Sequence, residues 1–185
     1  YIDKFDTIRD LLRYAITSFN DAKLHFGHGT DTPLDEAVYL ICYQLGLPSE
    51  QFDHFLDARL TKKEVIKLYE LINLRVSSRK PAPYLTNEAW LNGFKFFVDE
   101  RVIIPRSYIA ELLVSGLTPW ISNSQKIYNI LDLCCGSACL AIIAAENFPN
   151  AVVDATDISQ TALDVAKINI ENYHLSEKIA LYHGD

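Results

Sequence analysis

Residues 127–141 read IYNILDLCCGSACLA, an apolar run that ends in a turn of small residues. An almost unbroken apolar run, here residues 127–133, is typical of a parallel strand that is buried on both faces. Gly136 and the small residues around it allow the backbone of the following turn to approach a ligand closely. The segment therefore predicts a strand, a tight turn and a helix, in that order.

The rest of the C-terminal half repeats this alternation. Residues 151–155 and 179–183 are short apolar runs that predict two further strands. Between them, apolar residues recur with helical spacing from Ala162 to about Asn169. This order predicts an α/β fold with a doubly wound, Rossmann-like parallel sheet and right-handed crossovers.

Carboxylates mark the end of each predicted strand. Asp132, Asp157 and Asp185 come at the ends of the first, second and third strands, whereas Asp154 lies inside the second and is interpreted as structural. Any one of them alone is more often a turn or helix-capping residue. Because the carboxyl ends of parallel strands meet at one edge, where such sheets bind ligands, we expect all three to line one site.

The position of Asp132 indicates which ligand this site takes. A carboxylate there would repel the pyrophosphate of a dinucleotide, but it suits the ammonium and sulfonium groups of S-adenosylmethionine. We expect Asp157 to accept hydrogen bonds from the ribose hydroxyls and Asp185 to lie near the adenine amino group. The predicted cofactor-binding residues all lie at strand ends or in the turns after them: Asp132, Cys134, Gly136, Ser137, Asp157, Ile158 and Asp185.

The N-terminal part predicts helices. Apolar residues between Ile8 and Phe19 form one stripe, and Thr32 followed by Pro33 opens a second helix that buries residues including Leu34 and Ile41. A third helix begins after Thr61, which has Glu64 three residues on. Three amphipathic helices with short links predict a small bundle.

A change of pattern follows the third helix. Pro81 and Pro83 end that helix and predict extended backbone. Asn92-Gly93 stands between aromatic and aliphatic runs, which is the strongest short-range signal of a β-hairpin. We therefore expect a helical domain over residues 1–80, a hairpin and linker acting as a hinge over 81–106, and the sheet domain over 107–185.

The composition is that of a soluble globular protein with an acidic balance. The sequence holds 17 Lys and Arg against 24 Asp and Glu, a net charge of −7, and no apolar run is long enough to span a bilayer. We expect a cytoplasmic protein with a basic protein partner, and neither membrane association nor direct binding of nucleic acid. Cys134, Cys135 and Cys139 lack a nearby fourth ligand, so the sequence predicts small residues lining a turn, and no metal site.

Three segments carry a resemblance to a known family. Residues 87–90, 98–107 and 131–137 resemble the protein-(glutamine-N5) methyltransferases. Residues 26–31 and Pro105-Arg106-Ser107 resemble the branch that acts on the third protein of the large ribosomal subunit. The resemblance implies a class I methyltransferase sheet, S-adenosylmethionine as cofactor and methylation of a glutamine side chain in a ribosomal protein, with the helical domain as selector of that substrate.

The sequence departs from the family in two respects. Ala138 stands where the family has a second glycine, and Cys135 stands where Thr is common. Alanine requires an ordinary, negative φ, so the turn can keep the family's shape only if position 138 does not use a positive φ. The Asn-Pro-Pro-Tyr motif, which the resemblance implies would orient the glutamine nitrogen, is not among the 185 residues. We therefore assign no catalytic residue here. We expect residues 107–185 to be the first half of the methyltransferase domain of a longer protein, and the chain to be inactive alone, with residues 127–133 as an exposed edge.

Two other functions fit the same residues. A methyltransferase for nucleic-acid amines would use the same kind of cofactor site and acceptor chemistry. A non-catalytic module would use the pocket only to hold a nucleoside-like ligand. The acidic balance and the helical domain favour the protein-glutamine reading over the first.

Overall fold

The computed structural model describes residues 4–184, which divide into two compact units, one ending at Thr86 and the other beginning at Asn87. The first unit is helical. Its elements, in chain order, are α1 (Ile8–Asp21), α2 (Pro33–Leu45), a 3-10 segment (Ser49–Phe55), α3 (Lys62–Ser78) and a short α4 (Ala82–Thr86). No helix within the described part of the chain is long and apolar enough to cross a membrane.

Threonine side chains cap the N-termini of all three long helices of this unit. The hydroxyl oxygens of Thr7, Thr32 and Thr61 each accept a hydrogen bond from the backbone N–H three residues on. Thr61 and Glu64 form a reciprocal capping box, and α2 ends at Gly46 in the left-handed conformation. The predicted three helices are confirmed. Their facing sides form one core with these fully buried members: Leu11, Ala15, Phe19, Ala37, Leu40, Ile41 and Leu68.

Two details of the helical prediction are wrong. Leu34 is 48% exposed and Leu40 is buried, because α2 turns its Ala37–Leu40–Ile41 side to the core. The backbone expected to be extended after Pro81 forms the single turn α4. Pro83 is tolerated there because it occupies the first turn, where a backbone N–H has no partner within the helix.

A fully buried ion pair ties a loop to the helical core. Arg75 Nε lies 2.6 Å from Glu36 Oε1, and both side chains are 2% exposed. Arg75 Nη2 donates to the carbonyl of His25, and the Thr30 hydroxyl donates to Glu36 Oε2, each at 3.2 Å. Both ends of the loop over residues 25–30 are therefore held by the same pair.

The second unit begins with the predicted hairpin. Strands β1 (Glu88–Leu91) and β2 (Phe94–Phe97) pair antiparallel around Asn92 and Gly93, whose φ angles are 48° and 82°. Both central residues are thus left-handed, as a two-residue hairpin turn requires. Helix α5 (Ile109–Val114) follows, with the Ser107 hydroxyl accepting from the N–H of Ile109.

The remaining elements form the predicted alternation. They are β3 (Asn129–Leu133), α6 (Cys139–Asn147), β4 (Val152–Asp157), α7 (Gln160–Asn172) and β5 (Ile179–His183). The three strands are parallel in the order β3-β4-β5, so β4 is central and each crossover carries one helix. The α/β fold and the parallel sheet are confirmed.

The expected burial of β3 on both faces is wrong for the part of the chain that the structure describes. Val153, Ala155 and Ile179 are buried on one face of the sheet, whereas Leu131 is 59% and Leu133 66% exposed on the other. Helices α6 and α7 contact each other and both contact β4. The two crossovers step across the sheet in the same direction, so right-handed connections place both helices on one face.

Breaking the buried ion pair should destabilise the helical unit. Arg75→Leu leaves the Glu36 carboxylate buried without its cation, so we expect a loss of about 3–5 kcal/mol in the free energy of unfolding. Replacing both partners, by Arg75→Met with Glu36→Met, should cost less than either single change because no buried charge is left unpaired. Urea unfolding followed by circular dichroism measures the difference.

The exposed ion pair between Arg9 and Asp57 provides the matched control. Its side chains are 57% and 81% exposed, so Arg9→Ala should leave the unfolding curve unchanged. A double replacement at Arg75 and Glu36 that is as destabilising as Arg75→Leu would contradict the inference that the unpaired buried charge causes the loss of stability.

Candidate cofactor-binding site

The carboxyl ends of β3 and β4 bring two of the predicted carboxylates to one turn. Asp157, the last residue of β4, accepts the N–H of Gly136 on one oxygen and the N–H of Ser159 on the other, both at 2.9 Å. Asp132 accepts the N–H of Ala141, in the first turn of α6, at 3.1 Å. The two carboxylates thus fix the turn between β3 and α6 from both sides. Asp185 lies outside the described residues.

This turn, residues 134–138, has an unusual backbone. Cys134, Gly136 and Ala138 have φ angles of 59°, 54° and 60°. The expectation of a negative φ at Ala138 is therefore wrong. Hydrogen bonds from Cys135 N–H to the carbonyl of Thr156 and from Ala138 N–H to that of Cys135, both 2.8 Å, hold the turn in this shape. Left-handed backbone at a residue with a side chain costs about 1–2 kcal/mol, which these contacts offset.

The two carboxylates make this edge of the sheet electronegative. Burial raises the pKa of Asp132 above its ordinary value, and the negative charge of Asp157 raises it further. Neither carboxylate forms an ion pair with any residue in the described range 4–184. A positively charged ligand group near Asp132 and Asp157 would favour the ionised carboxylates, whereas a phosphate would add a further negative charge and oppose their ionisation. The site therefore fits a cationic nucleoside better than a dinucleotide.

Two cysteines in and directly after the turn, Cys135 and Cys139, are neutral at physiological pH. Burial, together with the nearby carboxylates, raises the pKa of Cys135 to about 12 and that of Cys139 to about 11. Protonated thiols are poor nucleophiles and poor metal ligands. Within residues 4–184 no group of three or more His, Cys, Asp or Glu side chains is arranged to hold a metal ion. Cys135 and Cys139 act here as small packing residues.

The other predicted site residues differ in their accessibility to a ligand. Cys134 is exposed, and Ile158 is 66% exposed directly after β4. Ser137 is buried, and its side chain is hydrogen-bonded to Cys139. Any contact from Ser137 to a ligand would therefore come from its backbone.

The sequence reading missed the structural importance of Asn169. The helical spacing over residues 162–169 treats it as an apolar position, but its amide is fully buried, and its oxygen and both of its N–H groups are hydrogen-bonded. It donates to the Ser137 carbonyl at 3.0 Å and so supports the turn from α7. An amide on an otherwise apolar helical face was the signal, because a buried polar group requires partners.

Replacing the partly buried carboxylate of Asp132 should stabilise the protein. Since the folded pKa of Asp132 is raised, the stability that this group contributes is present below its unfolded value, near 3.8, and is lost as pH rises through the folded pKa. Asp132→Asn cannot ionise and can still accept the Ala141 N–H. We expect it to unfold at a higher temperature than the unsubstituted protein at pH 7, with the gain shrinking as the pH falls toward 3.8.

Differential scanning calorimetry of the ligand-free protein at both pH values measures this shift. Asp154→Asn is the control, because Asp154 is exposed on the same sheet. A lower unfolding temperature for Asp132→Asn at pH 7 would contradict this prediction, because it would show that the ionised carboxylate of Asp132 stabilises the folded protein.

Comparison with known proteins supports the family resemblance. Residues 110–185 match the methyltransferase small domain. A ribosomal protein uL3 glutamine methyltransferase of Burkholderia pseudomallei (strain K96243) is 55% identical over 181 residues, 98% of this chain and 59% of that protein. Its counterpart in Neisseria gonorrhoeae (strain ATCC 700825 / FA 1090) is 52% identical over 97% of this chain and 60% of its own length. The chain thus spans about three fifths of the length of the curated relatives it matches.

The likeness to solved structures is weaker. The N-terminal domain of human METTL16 aligns with 80% of this chain and 54% of its own, at 17% identity and a TM-score of 0.40. The resemblance to the protein-(glutamine-N5) methyltransferases, carried by residues 87–90, 98–107 and 131–137, is confirmed over nearly the whole chain.

Proposed function

We propose that the protein containing these residues transfers a methyl group from S-adenosylmethionine to the side-chain nitrogen of a glutamine in ribosomal protein uL3, in the cytoplasm. The observation that carries the proposal is the 55% identity to a relative so named, over 98% of this chain. The carboxylate-lined turn adds a site whose chemistry suits that cofactor.

The residues at the strand ends fit the parts of the cofactor. Asp132 supplies a partly desolvated negative charge for the ammonium group. Each oxygen of Asp157 accepts one backbone N–H and keeps a further lone pair for a ribose hydroxyl. Ile158 offers an exposed apolar side chain next to Asp157 for the flat face of adenine. When bound, S-adenosylmethionine supplies an electrophilic methyl group.

The described residues bind and orient and are not proposed to act on the glutamine itself. A carboxamide nitrogen is a poor nucleophile because its lone pair is delocalised into the carbonyl. The family resemblance implies that acceptors for its two N–H groups come from an Asn-Pro-Pro-Tyr motif, which these 185 residues do not contain. The contribution of this part of the chain is to fix the cofactor and to select the substrate.

The charge is distributed unevenly between the two units. Residues 87–185 hold 12 Asp and Glu against 6 Lys and Arg, whereas residues 1–86 hold 12 against 11. The attraction for a basic ribosomal protein therefore originates in the methyltransferase unit. The helical unit, close to neutral, would select its substrate by shape, and the loop over residues 25–30 is a candidate because its ends are fixed by Arg75 and Glu36.

A methyl-transfer assay tests the proposed function. The complete protein is incubated with S-adenosylmethionine labelled in its methyl group and with free uL3, with uL3 whose acceptor glutamine is replaced by alanine, or with ribosomal RNA. We expect label in unsubstituted uL3 alone. Label in RNA would favour a nucleic-acid amine as substrate, and cofactor binding without transfer to any of the three would favour a non-catalytic module.

The ribose assignment predicts a difference between two aspartates of β4. Asp157→Ala removes the acceptor for the ribose hydroxyls of the cofactor and for the Gly136 N–H. Binding of S-adenosylmethionine should therefore weaken by about 1–3 kcal/mol. Asp154→Ala, which changes an exposed residue of the same strand, should leave binding unchanged. Isothermal titration calorimetry on the complete protein compares the two, and equal affinities would rule out the placement of the ribose at Asp157.

The selector role of the helical unit predicts a separation of functions. Deleting residues 1–86, which form one compact unit, should abolish methylation of uL3 while binding of S-adenosylmethionine survives. The labelled-methyl assay and calorimetry on the same preparation report the two properties. Unchanged methylation after the deletion would assign substrate selection to the second unit.

A further inference from the structure

Asn169, on the buried side of α7, joins the hairpin to the turn over residues 134–138. Its Oδ1 accepts the N–H of Phe97 at 2.7 Å, and its Nδ2 donates to the carbonyls of Phe97 and Ser137, each at 3.0 Å. The side chain is fully buried. Both donors and the acceptor of the amide are therefore used, and their partners belong to two segments that are 40 residues apart in sequence.

Tyr173, the C-cap residue directly after α7, makes a similar connection to the hairpin alone. Its hydroxyl accepts the N–H of Lys95 at 2.9 Å and donates to the Lys95 carbonyl at 3.1 Å. In an antiparallel pair, alternate residues direct their backbone groups away from the partner strand. Lys95 and Phe97 are such residues of β2, so Tyr173 and Asn169 bind its outer edge as a third strand would. Only Asn169 also reaches the turn.

The bond to Ser137 acts next to Ala138, one of the two residues of that turn that carry a side chain and have a left-handed φ. The peptide between Ser137 and Ala138 is held at both polar atoms, since its carbonyl accepts from Asn169 and its N–H donates to Cys135. Ala138, next along the chain, has φ 60° and is fully buried. Rotation of Ala138 to a negative φ would swing this peptide and break both bonds. It would also move Gly136, whose N–H holds Asp157.

We propose that Asn169 is a positioning residue that holds the turn over residues 134–138 in its left-handed, cofactor-binding conformation and couples that turn to the hairpin. This inference rests on the proposed function only in naming the cofactor. The coupling itself is a property of the ligand-free fold. Ala138 disfavours the left-handed conformation of the turn, and the turn keeps it because Asn169 of α7 supplies a buried donor to the peptide between Ser137 and Ala138.

The first test compares Asn169→Ala with Tyr173→Phe in the complete protein. Both changes release part of β2, but only the first releases the turn. We expect Asn169→Ala to weaken binding of S-adenosylhomocysteine roughly tenfold, because the binding-competent turn becomes a minor state, whereas Tyr173→Phe should leave affinity unchanged. Equal affinities in the two variants would overturn the proposal. Asn169→Ser, whose hydroxyl is too short to reach Phe97 and Ser137 together, serves if the alanine variant does not fold, with the same expectation.

A second substitution separates positioning from a general loss of stability. Glycine adopts positive φ at no steric cost, so Ala138→Gly should recover about fivefold of the lost affinity in the Asn169→Ala background. In the unsubstituted background its effect on affinity should be several-fold smaller, because Asn169 already holds the turn. Equal effects of Ala138→Gly in both backgrounds would contradict the coupling. An Asn169→Ala protein that folds only together with Ala138→Gly would support it.

Hydrogen exchange of the ligand-free protein keeps this test independent of the cofactor. The backbone amides of Gly136 and Ala138 should exchange faster in Asn169→Ala than in Tyr173→Phe, and no difference between the variants would overturn the proposal. If the unsubstituted protein binds neither S-adenosylmethionine nor S-adenosylhomocysteine, the proposed function fails. The exchange experiment then still decides the role of Asn169.

Discussion

The turn between β3 and α6 keeps a backbone conformation that its own residues disfavour, and the organisation of the second unit depends on it. Cys134 and Ala138 are left-handed although both carry side chains. What holds the turn comes from other elements: the carbonyl of Thr156 and the carboxylate of Asp157 from β4, and the amide of Asn169 from α7. The site is therefore a product of the assembled sheet and helix, and the turn segment alone would not keep its shape.

The same region also carries an electrostatic cost. Asp132 is partly desolvated and lies close enough to Asp157 for the second charge to oppose ionisation of the first. A protein built for stability alone would place a neutral or paired group there. Unpaired carboxylates beside a strained turn are an arrangement that becomes favourable once a cation binds, which is how binding sites trade stability for function.

Local structure could be predicted from the sequence where a residue type strongly prefers one backbone conformation or one capping position. Asn92-Gly93 predicted the hairpin, and Thr61 predicted the start of α3, because the turn and the cap are decided by neighbouring residues. Ala138 and Asn169 could not be interpreted correctly in this way. The left-handed φ of Ala138 is imposed by hydrogen bonds from distant segments, and the partners of Asn169 are 72 and 32 residues away. The exposure of Leu131 likewise depends on which face the crossover helices cover, which no local pattern encodes.

The attachment of α7 to the hairpin has a consequence for how this protein can meet other chains. A two-stranded hairpin ordinarily offers its outer edges to any extended segment that can add as a further strand, which is a common mode of peptide capture and also a route to aggregation. Along β2 the backbone groups of Lys95 and Phe97 are occupied by the Tyr173 hydroxyl and the Asn169 amide. That edge is closed to strand addition, so a polypeptide that approaches β2 must be recognised through side chains.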